Sequence, residues 1–383
     1  MQIIYAPEEV PQTMSKSLFL AGPSPREKTH PNWRIEALTL LENFGYNGTV
    51  FIPLPEDGVF THSYSDQLDW KTKCLNMADV IMFWIPRDLK TLPAFTTNLE
   101  FGTWCASGKI VYGHPPSAPR MGALDYQAQQ ENVPINETLE ETLRTALGIL
   151  GDGALRVGGE CSVPLYIWNL ASFQNWYRAQ RKAGNRLEGS TVEWTFRPGK
   201  KPFFWVLHVN MYIKSEDRHK TNEVVLSRPD ISTVVGYLPH SDDLMETEVV
   251  IVREFRSPAA TVDGFIREVP GGSPKTAMDP QKIAREEFFE ETDVTLTGEF
   301  VNIGNRQIAG TLSAHKAHTF AVRLSLKEME LLKPEAGKVH GIEEDTERTF
   351  VEVYTIREIL QQEDVDWSNI GMILNVLITH LYA

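Results

Sequence analysis

The sequence predicts an α/β unit followed by an α+β unit, the first built on a parallel sheet and the second on a mixed or antiparallel one. Three observations carry this expectation. The chain has 383 residues, more than one hydrophobic core comfortably serves. Over residues 1–150, fully apolar runs alternate with helical patterns, the mark of strands buried on both faces. From Thr191 onward the strands instead alternate polar and apolar residues.

The elements follow in order. Ser17 to Gly22 is a short apolar run ending in Gly-Pro, and the pattern Trp33, Ile35, Leu38, Leu41 and Phe44 predicts a helix stopped at Gly45. Thr49 to Leu54 is a second strand closed by prolines. A helix near Leu68 to Met77, a strand Val80 to Ile85, a helix near Asn98 to Ser107 and a strand Ile110 to Tyr112 continue the rhythm. A helix from about Ile135 to Leu150 closes this unit, and the Gly-rich stretch 151–159 reads as a boundary. Trp168 to Gln180 is an aromatic-rich helix in a connector, residues 151–190. Strands then follow at Val192 to Phe196, Phe203 to Ile213, Glu223 to Leu226, Ser232 to Tyr237 and Glu248 to Glu254. The division expected is 1–150, a connector at 151–190, and 191–383.

A net charge of −14 and the lack of any basic run exclude a nucleic-acid backbone as partner, because phosphates need an opposing field. No apolar stretch approaches membrane-spanning length, and the N-terminus lacks a basic start and an apolar signal core, so a cytoplasmic protein with no membrane partner is expected. Cys74, Cys105 and Cys161 are odd in number and widely spaced, which fits a reducing compartment better than a disulfide framework or a zinc site.

The densest chemistry lies between residues 270 and 291. Pro270-Gly271-Gly272 leads to Asp279-Pro280, an N-cap followed by proline at the first helical position. In the helix that follows, Glu287, Glu290 and Glu291 are spaced i, i+3, i+4 and so stack on one side. Most such clusters are solvated acidic faces. Here the helical wheel places Ile283, Ala284 and Phe288 beside them, so the three carboxylates are expected on the core-facing arc. Partly buried anions need a counter-charge, and a hard, oxygen-seeking cation such as Mg²⁺ suits them.

These residues resemble the box of the Nudix hydrolase family: Gly272, Glu287, Phe288, Glu290, Glu291 and Val294 occupy box positions, and the E-x-x-E-E core is intact. Met278, Glu286 and Asp293 stand where the pattern has glutamate, arginine and glycine. Val249 to Pro258 and Phe265 to Gly272 look like the strand pair that precedes the box in ADP-ribose pyrophosphatases. The resemblance implies an α/β/α sandwich with a mixed sheet, and Mg²⁺ (or Mn²⁺) held by Glu287, Glu290 and Glu291 to acidify a water that attacks a diphosphate. It further implies a base from the acidic loop (Glu343, Glu344 or Glu347, with Glu344 as the choice) and substrate contacts at Arg253, Arg256 and Glu268.

Leu18 to Pro23, Ala78 to Ile85 and Thr96 to Gly102 together resemble the nucleoside 2-deoxyribosyltransferase-like family. The resemblance implies a flavodoxin-like sheet with ligand at the carboxyl ends of its strands. It implies Glu100 as the nucleophile on the anomeric carbon, Asp79 and Asn98 near the base or sugar, and Gly22 as a point of close backbone approach. A glutamate near a helix N-terminus is by itself commonplace, because the helix dipole favours it. Ala94 stands where family members often carry an aspartate. The combined expectation is a homo-oligomeric enzyme of nucleotide metabolism acting on a small nucleoside or nucleotide. In it an N-glycosidic-bond unit is joined to a metal-dependent hydrolase of ADP-ribose type; the competing expectation is a nucleotide-sensing protein that binds without turnover.

Overall fold

In the first unit the strands are apolar on both faces, so each successive residue serves a different core. Leu18 and Leu20 pack with Trp33, Leu41, Val80 and Met82 on one side, while Phe19 and Ala21 pack with Phe51, Ile81, Phe83 and Phe101 on the other. This pattern forces a three-layer arrangement. A computed structural model describes residues 1–25, 32–58, 63–199, 201–274, 278–335, 337–341 and 348–381. It divides into two compact units, Met1–Val224 and Val225–Ala383.

The sheet of the first unit runs Gln2–Tyr5, Thr49–Ile52, Ser17–Ala21, Val80–Trp84, Ile110–Gly113, Ile135–Asn136, and every pair is parallel. Leaving aside the N-terminal edge strand, the order is 2-1-3-4-5, that of flavodoxin-like sheets. Helices Trp33–Asn43 and Leu139–Leu150 cover one face; Tyr64–Met77, Phe95–Trp104 and Gly122–Gln130 cover the other. Ser63 starts helix Tyr64–Met77 with a reciprocal capping box to Asp66. The cysteines are free and buried, and burial pushes the Cys74 thiol up to about 12 and Cys105 to about 11, so both stay protonated.

The division at Val224 differs from the boundary expected at residue 190, and the cause is local. Two of the four glycines of 151–159 serve close packing: a Cβ on Gly153 would collide with the Ser15 carbonyl, and one on Gly159 with the backbone of Leu187 and Glu188. The three-stranded antiparallel sheet Arg186–Phe196, Phe204–Ile213, Arg218–Ser227 then builds its own core on helix Ala171–Lys182. Trp205 is fully buried against Phe173, centroids 5.7 Å apart, and its indole N–H donates to Ser172 Oγ at 2.9 Å. Arg197 stacks 4.2 Å over Tyr166 and donates to the Ser107 carbonyl at 2.9 Å.

The second unit is a mixed sheet between two helical layers. Its main order is Val301–Gln307, Lys316–Arg323, Ile231–Leu238, Glu248–Phe255, Thr349–Thr355, Val339–His340, with Phe265–Glu268 and Gly271–Gly272 paired alongside. Ile231–Leu238 and Lys316–Arg323 are parallel, and the other pairs are antiparallel. Val234, Val250, Phe320 and Val351 face helices Pro280–Thr292 and Leu326–Leu332; Val235, Val249, Ile251 and Ala321 face Trp367–Leu381. Among the described residues no helix is long and apolar enough to cross a membrane.

Candidate functional sites

In the first unit the carboxyl ends of the parallel strands open into a cleft of about 660 Å³, lined among others by Ser24, Asn32, Tyr64, Lys71, Thr96 and Glu100. Two residues before the lining residue Ser24, Gly22 ends the strand Ser17–Ala21 at φ +151°, where a Cβ would strike the Trp84 carbonyl and the Trp33 indole. Arg34 holds the turn after it. The guanidinium is buried and donates to Leu20 O at 3.1 Å, Gly22 O at 2.7 Å and Pro23 O at 3.3 Å. Burial lowers its pKa to about 9, with the nearby Glu100 carboxylate opposing that shift. Three backbone oxygens at this turn are thus held by a single cation from the next helix.

Glu100 sits in the middle of helix Phe95–Trp104, four residues after Thr96, so both side chains reach the cleft. Its carboxylate pairs with Lys71 of helix Tyr64–Met77, and the two side chains retain 17 % and 22 % exposure. The pair is therefore open enough to meet a small molecule yet screened from bulk water. Sequence reading missed Lys71. The available signal was Tyr64, Gln67, Leu68 and Lys71 at helical spacing, all four of which line the cleft.

Two expected contacts fall elsewhere. Asp79 lies at the amino end of strand Val80–Trp84, the end opposite the cleft. Its carboxylate receives Arg156 Nη1 at 2.7 Å and Nη2 at 2.6 Å, Ser17 N at 2.8 Å, Ser17 Oγ at 2.9 Å and Leu165 N at 2.9 Å. Both ends of that ion pair are buried, which makes it structural. Asn98 is two residues from Glu100 and so points to a different side of the helix; its amide oxygen is taken by the buried Arg87, which also donates to Arg120 O at 2.7 Å. The helix begins at Ala94 with φ 62° and no side-chain cap, so the position that often carries an aspartate supplies neither a carboxylate nor a cap.

Residues 15–118 match the nucleoside 2-deoxyribosyltransferase-like family. The match spans the strands from Ser17 to Gly113, the Gly22 turn and the Glu100 helix, so the chain carries an N-terminal nucleoside 2-deoxyribosyltransferase-like domain. No curated protein matches the chain. The match stops at residue 118 and does not extend to the second unit.

In that unit, Asp279 caps helix Pro280–Thr292 by accepting from Lys282 N, with Pro280 in the first turn as expected. Asp293 ends it at φ 56°, taking the left-handed conformation that a glycine usually supplies there. The three carboxylates do not share one burial. Glu291 is 2 % exposed, Glu287 is half-buried and Glu290 is exposed, because the buried arc centres on Ala284, Phe288, Glu291 and Thr292 and leaves Glu290 on its rim. Glu291 accepts the Gly271 N–H at 3.0 Å, and Glu287 lies against the Cα of Gly272, where a Cβ would collide with its carboxylate.

Strand alternation separates the expected substrate contacts. Glu268 is opposite Val252 and shares the face of Val250 and Glu254, toward the glutamate helix; Arg253 is opposite Arg267 on the other face. Arg253 is held there by Asp263 at 2.6 Å and lies 4.2 Å over Phe265. Arg256 instead joins the acidic side. It contacts Glu254 at 2.8 Å and donates from Nε to Glu268 at 3.0 Å. Burial opposes its charge, but Glu268, Glu254 and Glu291 outweigh burial and raise its pKa. Arg228, which no motif marked, donates to Ser273 Oγ at 2.8 Å; burial, then Arg256, lower its pKa and Glu287 opposes them.

The donor chemistry suits a hard divalent cation, since the cluster is entirely carboxylate. Among the described residues no three Asp, Glu, His or Cys side chains converge on a point that could hold a metal ion. Glu344, with Glu343 and Glu347, lies in residues 342–347, outside the described residues.

Proposed function

We propose that the first unit cleaves the N-glycosidic bond of a nucleoside or nucleotide, with Glu100 as the nucleophile. The observation that carries this is the Glu100 carboxylate in a cleft at the carboxyl ends of a parallel sheet, paired with Lys71. The family match over the same residues supports it. In this mechanism one Glu100 oxygen attacks the anomeric carbon, the C–N bond breaks, and its electron pair leaves with the base, which takes up a proton. Water or a second base then displaces the sugar and restores the carboxylate. Lys71 holds the Glu100 carboxylate in place between turnovers, and Arg34 clamps the turn that leads into the cleft lining. Ala94 leaves the helix start without the extra carboxylate of many transferases, which favours water as acceptor. Base release from a panel of ribo- and deoxynucleosides, with and without an acceptor base, tests this; no release from any member would refute it.

A second reading concerns the other unit: Nudix-type hydrolysis of an ADP-ribose-like diphosphate. One observation favours it, the contact of Glu287 and Glu291 with the short strand Gly271–Gly272, which joins strand and helix into one acidic edge. In this reading Glu287, Glu290 and Glu291 would hold Mg²⁺ or Mn²⁺, which would supply charge neutralisation at the diphosphate and an acidified water. Incubation with ADP-ribose, NAD and nucleotide sugars, in Mg²⁺ or in chelator, decides it: no metal-dependent product would end this reading.

A further inference from the structure

The acidic edge of the second unit already contains a cation. Glu254 is 6 % exposed and Glu291 2 %, and carboxylates so withdrawn from water are costly without a counter-charge. Arg256 reaches two carboxylates with one planar fork: Glu254 at 2.8 Å, and Glu268 through Nε at 3.0 Å and also through Nη2. It lies in the field of Glu291 as well, while Arg228 lies in that of Glu287. A guanidinium cannot be deprotonated in the ordinary pH range, so this neutralisation is permanent and needs no ion.

We infer that Arg256 is a resident counter-cation of the Glu254–Glu268 pair and competes with any divalent metal for it. Two consequences follow from the geometry. The unit folds without metal, because Glu254 has the Arg256 guanidinium beside it and Glu291 accepts the Gly271 N–H. A cation gains access only when the Arg256 fork lets go, and an anionic group such as a diphosphate, which matches the fork bidentately, is the ligand class that would release it. The inference stands on the ion pairs and does not depend on the hydrolase reading.

The test uses the full chain and Mn²⁺ as probe, read by electron paramagnetic resonance titration and by thermal melting in chelator and in excess Mn²⁺. Arg256→Gln keeps hydrogen-bonding groups and removes the charge; it is expected to bind Mn²⁺ about tenfold more tightly than the unaltered protein, equivalent to ~1.4 kcal/mol. Its melting temperature is expected to fall in chelator and to recover with Mn²⁺, whereas that of the unaltered protein responds little. Arg256→Lys, which retains the charge, is expected to stay near the unaltered affinity. If Arg256→Gln unfolds in chelator, restoration by Mn²⁺ supports the exchange, and failure to restore it overturns the inference. Equal Mn²⁺ affinity in all three proteins, or no binding in any, likewise overturns it. The hydrolase reading is judged separately by products from ADP-ribose, so the two can fail independently.

Discussion

Replacing Arg156 with methionine removes one partner of a buried ion pair and leaves the other, which separates a structural from a ligand-binding role for Asp79. In the native unit Asp79 receives five hydrogen bonds, two of them from Arg156. The variant keeps those from Ser17 N, Ser17 Oγ and Leu165 N, so the stranded charge stays partly solvated by the protein. Breaking a buried pair costs about 3–5 kcal/mol, and three surviving donors place this case near ~3 kcal/mol. For a unit of this size each kcal/mol moves the melting temperature by about 2–4 °C, giving a fall of roughly 6–12 °C. Differential scanning calorimetry reads this directly. Equilibrium dialysis of a nucleoside below the melting range should show cleft binding nearly unchanged, since Asp79 lies at the other end of the sheet. Nucleoside binding lost without any fall in melting temperature would refute this reasoning and return Asp79 to the site.

Three further expectations follow. Lys71→Met leaves Glu100 without its cation and is expected to lower base release about tenfold, or ~1.4 kcal/mol in the barrier, with the fold intact by circular dichroism. Gly272→Ala pushes a methyl into the Glu287 carboxylate; the stability of the second unit should fall by about 1–3 kcal/mol, and an unchanged melting midpoint would contradict the contact. Burial alone would raise the Glu328 carboxyl, but hydrogen bonds from Ser325 and Thr297 outweigh it and hold it at about 2, against an ordinary 4.5. The folded value is depressed, so the stabilisation is complete above pH 4.5 and is lost as pH falls from there toward 2. Acid melts of Glu328→Gln should be flatter through that window.

What the sequence disclosed and what it hid divide along physical lines. Buried strands were legible because burial on both faces writes itself as continuous apolar runs, as in Val80–Trp84. The helix start at Asp279-Pro280 was legible because capping is local chemistry. Partnership was not. Asp79 and Asn98 carried functional-looking motifs, yet Arg156 and Arg87, distant in sequence or unmarked, claim them. Lys71 and Arg228 act in their clusters without any motif, and only the folded chain brings them there. Gly153 and Gly159 looked like part of a linker because close packing and flexibility share one residue type.

The central claim is that Glu100 forms a covalent bond to a sugar. Intact-protein mass spectrometry after rapid quenching with a reactive nucleoside, compared between the unaltered chain and Glu100→Gln, tests it most directly. The account predicts a mass increase of one glycosyl group on the unaltered protein, mapped to the peptide containing Glu100, with both adduct and base release absent in the variant. Base release that persists in Glu100→Gln, or an adduct mapped to any other residue, would contradict it.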